Sequence, residues 1–291
     1  MNKINYYSKE EQEQLKKIVN SSTYKLAEDD KEFLKEYETR GVRLELDYLK
    51  AELTMKKFGI EHTIAIFGSA RTLPQNIAKA KVDELMKNGI NGVELKRATK
   101  ALDNSYFYED AKELGRIIGR SGKSEKDNRV MVMTGGGPGI MEAANRGAWE
   151  VGANSIGLNI KLPFEQHPNP YITPELCMLF HYFSIRKFHF FQRSKGMVVY
   201  PGGFGTMDEM FELLTLKQTG SMQEIPIVLV GKQWWKNFLN IEFLLEEGMI
   251  SKKDLDIFKM VDSAKEAWEH ILNWHEDSGN ALFSKKESIG I

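Results

Sequence analysis

The chain has 291 residues and a formal charge of −1, enough to bury a full core in one large α/β domain with appendages or in two small ones, with no electrostatic reason to expect nucleic acid or a membrane surface as partner. Cys177 is the only cysteine, which excludes an intramolecular disulfide and a metal–thiolate cluster and fits a reducing compartment. No apolar run approaches the ~20 residues of a membrane span and the first residues lack the apolar stretch of a signal peptide, so the expectation is a soluble cytoplasmic protein.

Residues 1–60 are rich in Glu, Lys and Leu at helical spacing, with Leu44, Tyr48, Ala51 and Met55 recurring at i, i+4, i+7 and i+11. They read as an N-terminal helical extension that either covers a sheet edge or the outer helices, or widens an oligomer interface. From 62 the pattern alternates: strand 62–67, helix 105–120, strand 129–134, helix 138–151 and strand 154–160. It continues with helix 181–195, strand 196–200, helix 205–219, strand 225–230 and helix 233–247. Such alternation implies an α/β domain over 61–275, a Rossmann-like, doubly wound, mostly parallel sheet with helices on both faces. Residues 74–104 insert an extra amphipathic helix into the first crossover, and 276–291 read as a flexible polar tail.

Three of the strands run into glycines and then a helix. Gly68 and Ser69 follow the first strand, Gly135, Gly136, Gly137 and Gly139 the second, and Gly202, Gly203, Gly205 and Thr206 the apolar run 196–200. At a helix start the backbone N–H groups lack internal partners and favour an anion, and glycine lets the backbone come close to it. Three such junctions at the carboxyl ends of parallel strands suggest one shared crevice for a phosphorylated ligand.

The kind of phosphate site narrows by elimination. Ile140 stands where a dinucleotide fingerprint needs its third glycine, and Asn159, Ile160 and Lys161 end the next strand where a ribose-binding acid belongs. NAD is therefore disfavoured. Neither glycine loop ends in Lys-Ser or Lys-Thr, which disfavours ATP-driven chemistry. A mononucleotide or sugar phosphate remains.

Tyr182, Arg186, His189 and Arg193 share one face of the helix 181–195, with Phe183, Ile185, Phe188 and Phe191 assigned to the core. Arg186 is read as the cationic partner of the ligand, His189 and Arg193 as surface or interface ion-pair residues, and His167, in a proline-punctuated loop, as structural. Glu209 has two readings. Thr206 and Glu209 have the spacing of a capping box, and Glu209 equally places a carboxylate one turn inside a phosphate-binding helix. The flanking glycines and the cationic helix upstream favour the second.

Taken together, Tyr-x-x-Ala-x-x-Leu-Gly at 108–115, Gly-Gly-Gly-x-Gly-x-Met at 135–141, Arg186 with Lys187, and Pro-Gly-Gly-x-Gly-Thr-x-x-Glu at 201–209 resemble the LOG ("Lonely Guy") nucleoside 5′-monophosphate phosphoribohydrolases, many of which carry the label "lysine decarboxylase". The resemblance covers roughly 62–250, and it implies hydrolysis of an N-glycosidic bond to free base and ribose 5-phosphate, without metal or redox cofactor. It assigns Arg186 and Glu209 as catalytic, and Gly68, Ser69, Gly136, Gly137, Gly139, Lys187, Gly202, Gly203, Gly205 and Thr206 to the substrate environment. It also implies a homodimer or higher homo-oligomer, with AMP-like or cytokinin nucleotides as the partner. The insertion at 74–104, the N-terminal helices and the loop 161–180 depart from compact members of that family. Competing readings are a non-catalytic nucleotide-binding or cofactor-carrier protein, such as molybdenum-cofactor binders with similar loops, and a pyridoxal-phosphate decarboxylase, for which Lys187 and Lys195 lack a cofactor pattern.

Overall fold

Stretches such as Thr63, Ile64, Ala65 and Ile66, or Met197, Val198 and Val199, are apolar on both alternating faces, as strands buried between two helical layers require. A computed structural model describes residues 6–121, 130–163, 167–280 and residue 282, and divides the chain into two compact units, Met1–Leu49 and Lys50–Ile291. The elements in chain order are α1 (Lys9–Val19), α2 (Arg40–Lys57), β1 (His62–Phe67), α3 (Gln75–Lys87), α4 (Val93–Asn104), α5 (Tyr106–Arg120) and β2 (Val130–Thr134). Then come α6 (Ile140–Glu150), β3 (Ser155–Ile160), β4 (Cys177–Phe180), α7 (Phe183–Gln192), β5 (Ser194–Val199) and α8 (Phe204–Gln218). β6 (Ile227–Val230), α9 (Lys232–Phe238), α10 (Ile241–Glu246), β7 (Lys259–Val261) and α11 (Ala264–Asp277) complete the fold.

The seven strands lie in the order β4-β3-β2-β1-β5-β6-β7, and every neighbouring pair is parallel. This is the doubly wound α/β sheet the alternation implies. Strand periodicity divides the side chains between two cores. Ala65, Phe67, Met131 and Met133 point to one, against Phe190 of α7, Met210 of α8 and Trp235 of α9. Ile64, Ile66, Val130 and Val132 point to the other, against α5, α6 and α11. Ala51 and Met55 of α2 are buried and Leu44 and Tyr48 half-buried, so the predicted helical face exists. No helix among the described residues is long and apolar enough to cross a membrane.

Several boundaries differ from the sequence reading. The insertion is two helices, α3 and α4, which share a small core of Val82, Leu85 and Ala98; Gly89 and Gly92 between them take positive φ and turn the chain back. The stretch 233–247 breaks into α9 and α10, because the Asn240 side chain accepts from the Phe243 N–H at 3.1 Å and caps a new helix. The helix expected at 181–195 is shorter, with Tyr182 and Arg193 as its caps, and β5 starts at Ser194. Edge strands β4 and β7 and the helix α11 were not anticipated, and α11 carries regular structure through Asp277. Of the tail expected at 276–291, residues 281 and 283–291 lie outside the described residues.

α5 and α6 cross at unusually close range. A Cβ on Gly115 would lie 2.1 Å from the Ala144 carbonyl oxygen, and one on Gly147 would lie 1.9 Å from that of Lys112. Backbone cannot yield as a side chain can, so Gly115→Ala is expected to lower stability by about 2–3 kcal/mol, in the range of overpacked cores. Denaturant unfolding checks this; an unchanged midpoint would show that the two helices separate without cost.

Candidate functional site

After β1 the chain winds outward through β2, β3 and β4, then returns to place β5 on the other side of β1. The carboxyl ends of β1 and β5 therefore flank a topological switch point, where the crossovers diverge and leave a crevice. A cavity of about 940 Å³ opens there, and Gly68, Ser69, Gly135, Gly202 and Gly203 line it. Ser69 joins the three glycine loops. Its N–H donates to the Pro201 carbonyl at 3.0 Å, and its carbonyl accepts from Ile140 N–H at 3.1 Å. A Cβ on Gly139, which has φ of 72°, would stand 2.2 Å from that same Ser69 carbonyl oxygen.

These contacts distinguish the two main helix starts. At α6 the first N–H is engaged by Ser69, and Gly136, Gly137 and Gly139 are not among the cavity-lining residues. Gly136 packs against Asn159 instead: a Cβ there would meet Asn159 Oδ1 at 2.0 Å. The α8 start is open. Gly203 is its N-cap with no side-chain capping bond, and a Cβ on Gly203 or Gly205 would meet nothing within 4 Å. Its first N–H groups, which have no acceptor within the helix, belong to residues that line the cavity, and with the helix dipole they suit an anion. Gly202 lets the turn close on Thr206, whose Oγ1 would be 2.1 Å from a Cβ at that position.

Because α8 begins at Phe204, Thr206 lies inside the helix, and the capping-box reading of Thr206 and Glu209 does not hold. Glu209 turns to Arg186 of α7, whose Nη2 donates to Glu209 Oε1 at 2.8 Å. The Glu209 side chain is 4% exposed and that of Arg186 12%. Burial lifts the Glu209 carboxyl above its ordinary value of 4.5, although Arg186 and Lys187 oppose the shift. Burial also depresses Arg186, which nonetheless stays charged, as arginine does in proteins. Arg186 lies near the rings of Phe183 and Phe190, at 5.3 and 5.5 Å from their centroids. Among the described residues, Glu209 Oε2 and Arg186 Nε are buried without a hydrogen-bond partner. Both residues line the cavity.

Other predicted residues go elsewhere. Lys187 binds Asp208 and Glu212 at 2.8 and 2.7 Å and does not line the cavity. Arg193 donates to Glu52 at 2.7 Å and holds that carboxyl below its usual range, an internal tie rather than a surface one. His189 is fully buried beside Phe180, not at a surface, while Phe183 and Phe188, assigned to the core, are exposed. Phe190 takes their place in the core. His167 is exposed and outside the cavity lining; of its loop, Phe164, Glu165 and Gln166 lie outside the described residues.

Sequence reasoning missed two features. Arg97 and Lys100 of the inserted α4 line the cavity, as do Trp234 and Phe238 of α9, whose rings stack at 5.4 Å. The second is a buried polar network beneath the second glycine loop. Asn145 Oδ1 accepts from Thr134 Oγ1 at 2.7 Å and from Asn169 Nδ2 at 3.0 Å, and Asn145 Nδ2 donates to Ser155 Oγ at 2.9 Å. Asn169 also donates from its N–H to the Gly136 carbonyl and from Nδ2 to that of Gly137. A lone Asn inside the apolar helix pattern of 140–150 was the available signal.

The fold and the site define a parallel α/β protein with an anion-receptive switch-point crevice and a buried arginine–glutamate pair. Residues 141–271 match the family described as "Possible lysine decarboxylase". The chain is similar to cytokinin riboside 5′-monophosphate phosphoribohydrolase LOG1 of Arabidopsis thaliana, at 27% identity over 65% of this chain and 87% of that protein. It is likewise similar to LOG3 of the same plant, at 26% identity over 56% of this chain and 77% of that one. These similarities, all at low identity, agree with the resemblance to the LOG phosphoribohydrolases that its motifs carry. Among solved structures it is similar to the structural-genomics target TM1055, at 22% identity and TM-score 0.45, over 72% of this chain and 98% of that one. It is also similar to the molybdenum cofactor binding protein of Rippkaea orientalis, at 15% identity and TM-score 0.46, over 74% of this chain and 97% of that one.

The network around Asn145 generates a stability prediction independent of any ligand. Asn145→Ala strips partners from Thr134, Ser155 and Asn169 while they stay buried, and is expected to cost about 2–4 kcal/mol. Thermal or denaturant unfolding measures it; a loss below about 0.5 kcal/mol would mean that the network rearranges freely.

Proposed function

We propose that the protein hydrolyses the N-glycosidic bond of a nucleoside 5′-monophosphate, AMP-like or of the cytokinin type, releasing free base and ribose 5-phosphate. The observation that carries this reading is the buried Arg186–Glu209 pair, 2.8 Å apart, lining a cavity beside the uncapped start of α8. The phosphate sits at the N–H groups of Gly203, Phe204, Gly205 and Thr206, where the helix dipole supplies positive potential. Gly68 and Ser69 complete that wall, and Gly136, Gly137 and Gly139 act behind it by fixing the loop. Lys187, held by Asp208 and Glu212, supports the site through those carboxylates, an arrangement that favours hydrolysis over a Schiff-base reaction.

Breaking the bond between C1′ and the base develops positive charge on the ribose ring, as in other glycoside hydrolyses. Glu209 provides the carboxylate that offsets this charge and takes the proton of the attacking water. The water oxygen bonds to C1′, the C1′–N electron pair leaves with the base, and the proton that Glu209 has taken from the water passes to the departing base, which restores the carboxylate. Arg186 keeps Glu209 ionised against its burial and fixes Oε1, so that Oε2 is the working oxygen. Assembly as a dimer or a multiple of it suits the exposed aromatic residues Phe183 and Phe188 on α7.

A nucleotide panel assayed for free base by chromatography tests the activity. AMP is expected to be cleaved at least about ten times faster than adenosine, since the α8 start recognises the phosphate. Equal rates, or no base release from any nucleotide, would contradict the reading. Glu209→Gln keeps an acceptor for Arg186, so the melting temperature is expected to change little while kcat falls about 10²-fold or more, ~2.7 kcal/mol. A variant with near-normal turnover would remove Glu209 from the chemistry. Light scattering is expected to give a dimer or larger; a fully active monomer of 33.4 kDa would refute the assembly.

A further inference from the structure

The inserted helix α4 is amphipathic in a specific sense. Leu95, Ala98 and Leu102 face the small core shared with α3, while Arg97, Lys100, Ala101 and Asn104, at i, i+3, i+4 and i+7, line the cavity. Ala101, one turn after Arg97 and next to Lys100, keeps this cavity-facing side of the helix small beside the two cations. Arg71, just after the first glycine loop, lines the cavity as well. Among the described residues neither Arg71 nor Arg97 has a salt bridge, and Lys100 has only an exposed contact of 3.8 Å with Asp103, a kind of pair worth little.

The cavity lining carries a surplus of positive charge. Its charged lining residues are Arg71, Arg97, Lys100, Arg186 and Glu209, of which Arg186 and Glu209 neutralise each other. Three cations remain, in a chain whose formal charge is −1, and none of them belongs to the α8 start, the place proposed above for the 5′-phosphate. The volume of about 940 Å³ is near the upper end for a small-molecule site.

We propose that Arg97 and Lys100 of the inserted helix, with Arg71, form a second anion subsite that takes a second phosphoryl group carried by the nucleotide. The inference rests on the reading that a nucleotide occupies this cavity, and it names what that nucleotide carries besides the phosphate at α8. The guanidinium of Arg97 offers paired donors to phosphate oxygens, and Lys100 adds a point charge. The insertion is thereby a specificity element of the site.

Calorimetric binding to the full chain tests this, with AMP, ADP and adenosine 3′,5′-bisphosphate as probes and the double variant Arg97→Ala, Lys100→Ala as comparison. Both residues are exposed, so the variant is expected to keep its melting temperature. The wild type is expected to bind at least one of the two bisphosphorylated probes about tenfold more tightly than AMP. The variant is expected to lose that preference while its AMP affinity stays within about twofold, since the α8 start is untouched. ADP and the 3′,5′-bisphosphate distinguish a second group beyond the 5′-phosphate from one on the ribose. No preference in the wild type, a preference retained in the variant, or equal loss of AMP and bisphosphate binding would each overturn the subsite. The same titrations in the Glu209→Gln background read binding with turnover suppressed, and base release by the wild type is assayed separately; a preference that persists while no base is released would sink the hydrolase reading and leave this subsite standing.

Discussion

A guanidinium and a carboxylate buried side by side at the carboxyl edge of a parallel sheet constrain most of what surrounds them. Removing two charges from water costs several kcal/mol per ion, and their mutual attraction repays it only when the remaining polar atoms are satisfied. In the Arg186–Glu209 pair, Glu209 Oε2 and Arg186 Nε lack partners among the described residues. Such a pair is a poor device for stability. Its position in the crevice, beside the glycine-flanked start of α8, is what the proposed catalytic role rests on.

The topology makes this pair easy to build. Arg186 and Glu209 are 209 − 186 = 23 residues apart, on helices α7 and α8 that enter and leave the same strand, β5. Both helices pack on one face of the sheet, through Phe190 on α7 and Met207, Met210 and Leu213 on α8. One αβα unit thus sets the distance between the two charges, and the outer strands are not needed for it. The β1 loop contributes differently. Ser69 fastens the second and third glycine loops to the sheet centre, so the open helix start at α8 is held against a rigid wall.

How much of this was legible in the sequence depended on the range of the interactions. β1 runs from His62 to Phe67 as read, because a strand buried on both faces is continuous in apolar character. The three glycine loops were legible for the same reason, each bounded by a strand and a helix. Glu209 was ambiguous because a capping box and a helix-borne carboxylate share one spacing; only the start of α8, at Phe204, separates them. The faces of α7 were misjudged because its aromatic residues run all round the helix, and periodicity cannot then say that Phe190 is buried while Phe183 and Phe188 are exposed. Asn145 meets partners 10 to 24 residues away, and Arg97 reaches the cavity only because α3 and α4 fold back on each other. Both are long-range outcomes: the lone Asn in the helix pattern of 140–150 was the one local signal for the first, and Arg97 had none.

The central claim is that the fold holds Glu209 as a desolvated carboxylate whose charge Arg186 sustains. Carbon-13 NMR titration of the glutamate carboxyls, with the Glu209 resonance identified by its loss in Glu209→Gln, measures it directly. The account predicts a Glu209 carboxyl that titrates above 4.5, because burial disfavours the charged form by more than Arg186 and Lys187 favour it. A Glu209 resonance titrating at or below 4.5, as a solvated or over-compensated carboxylate would, contradicts it.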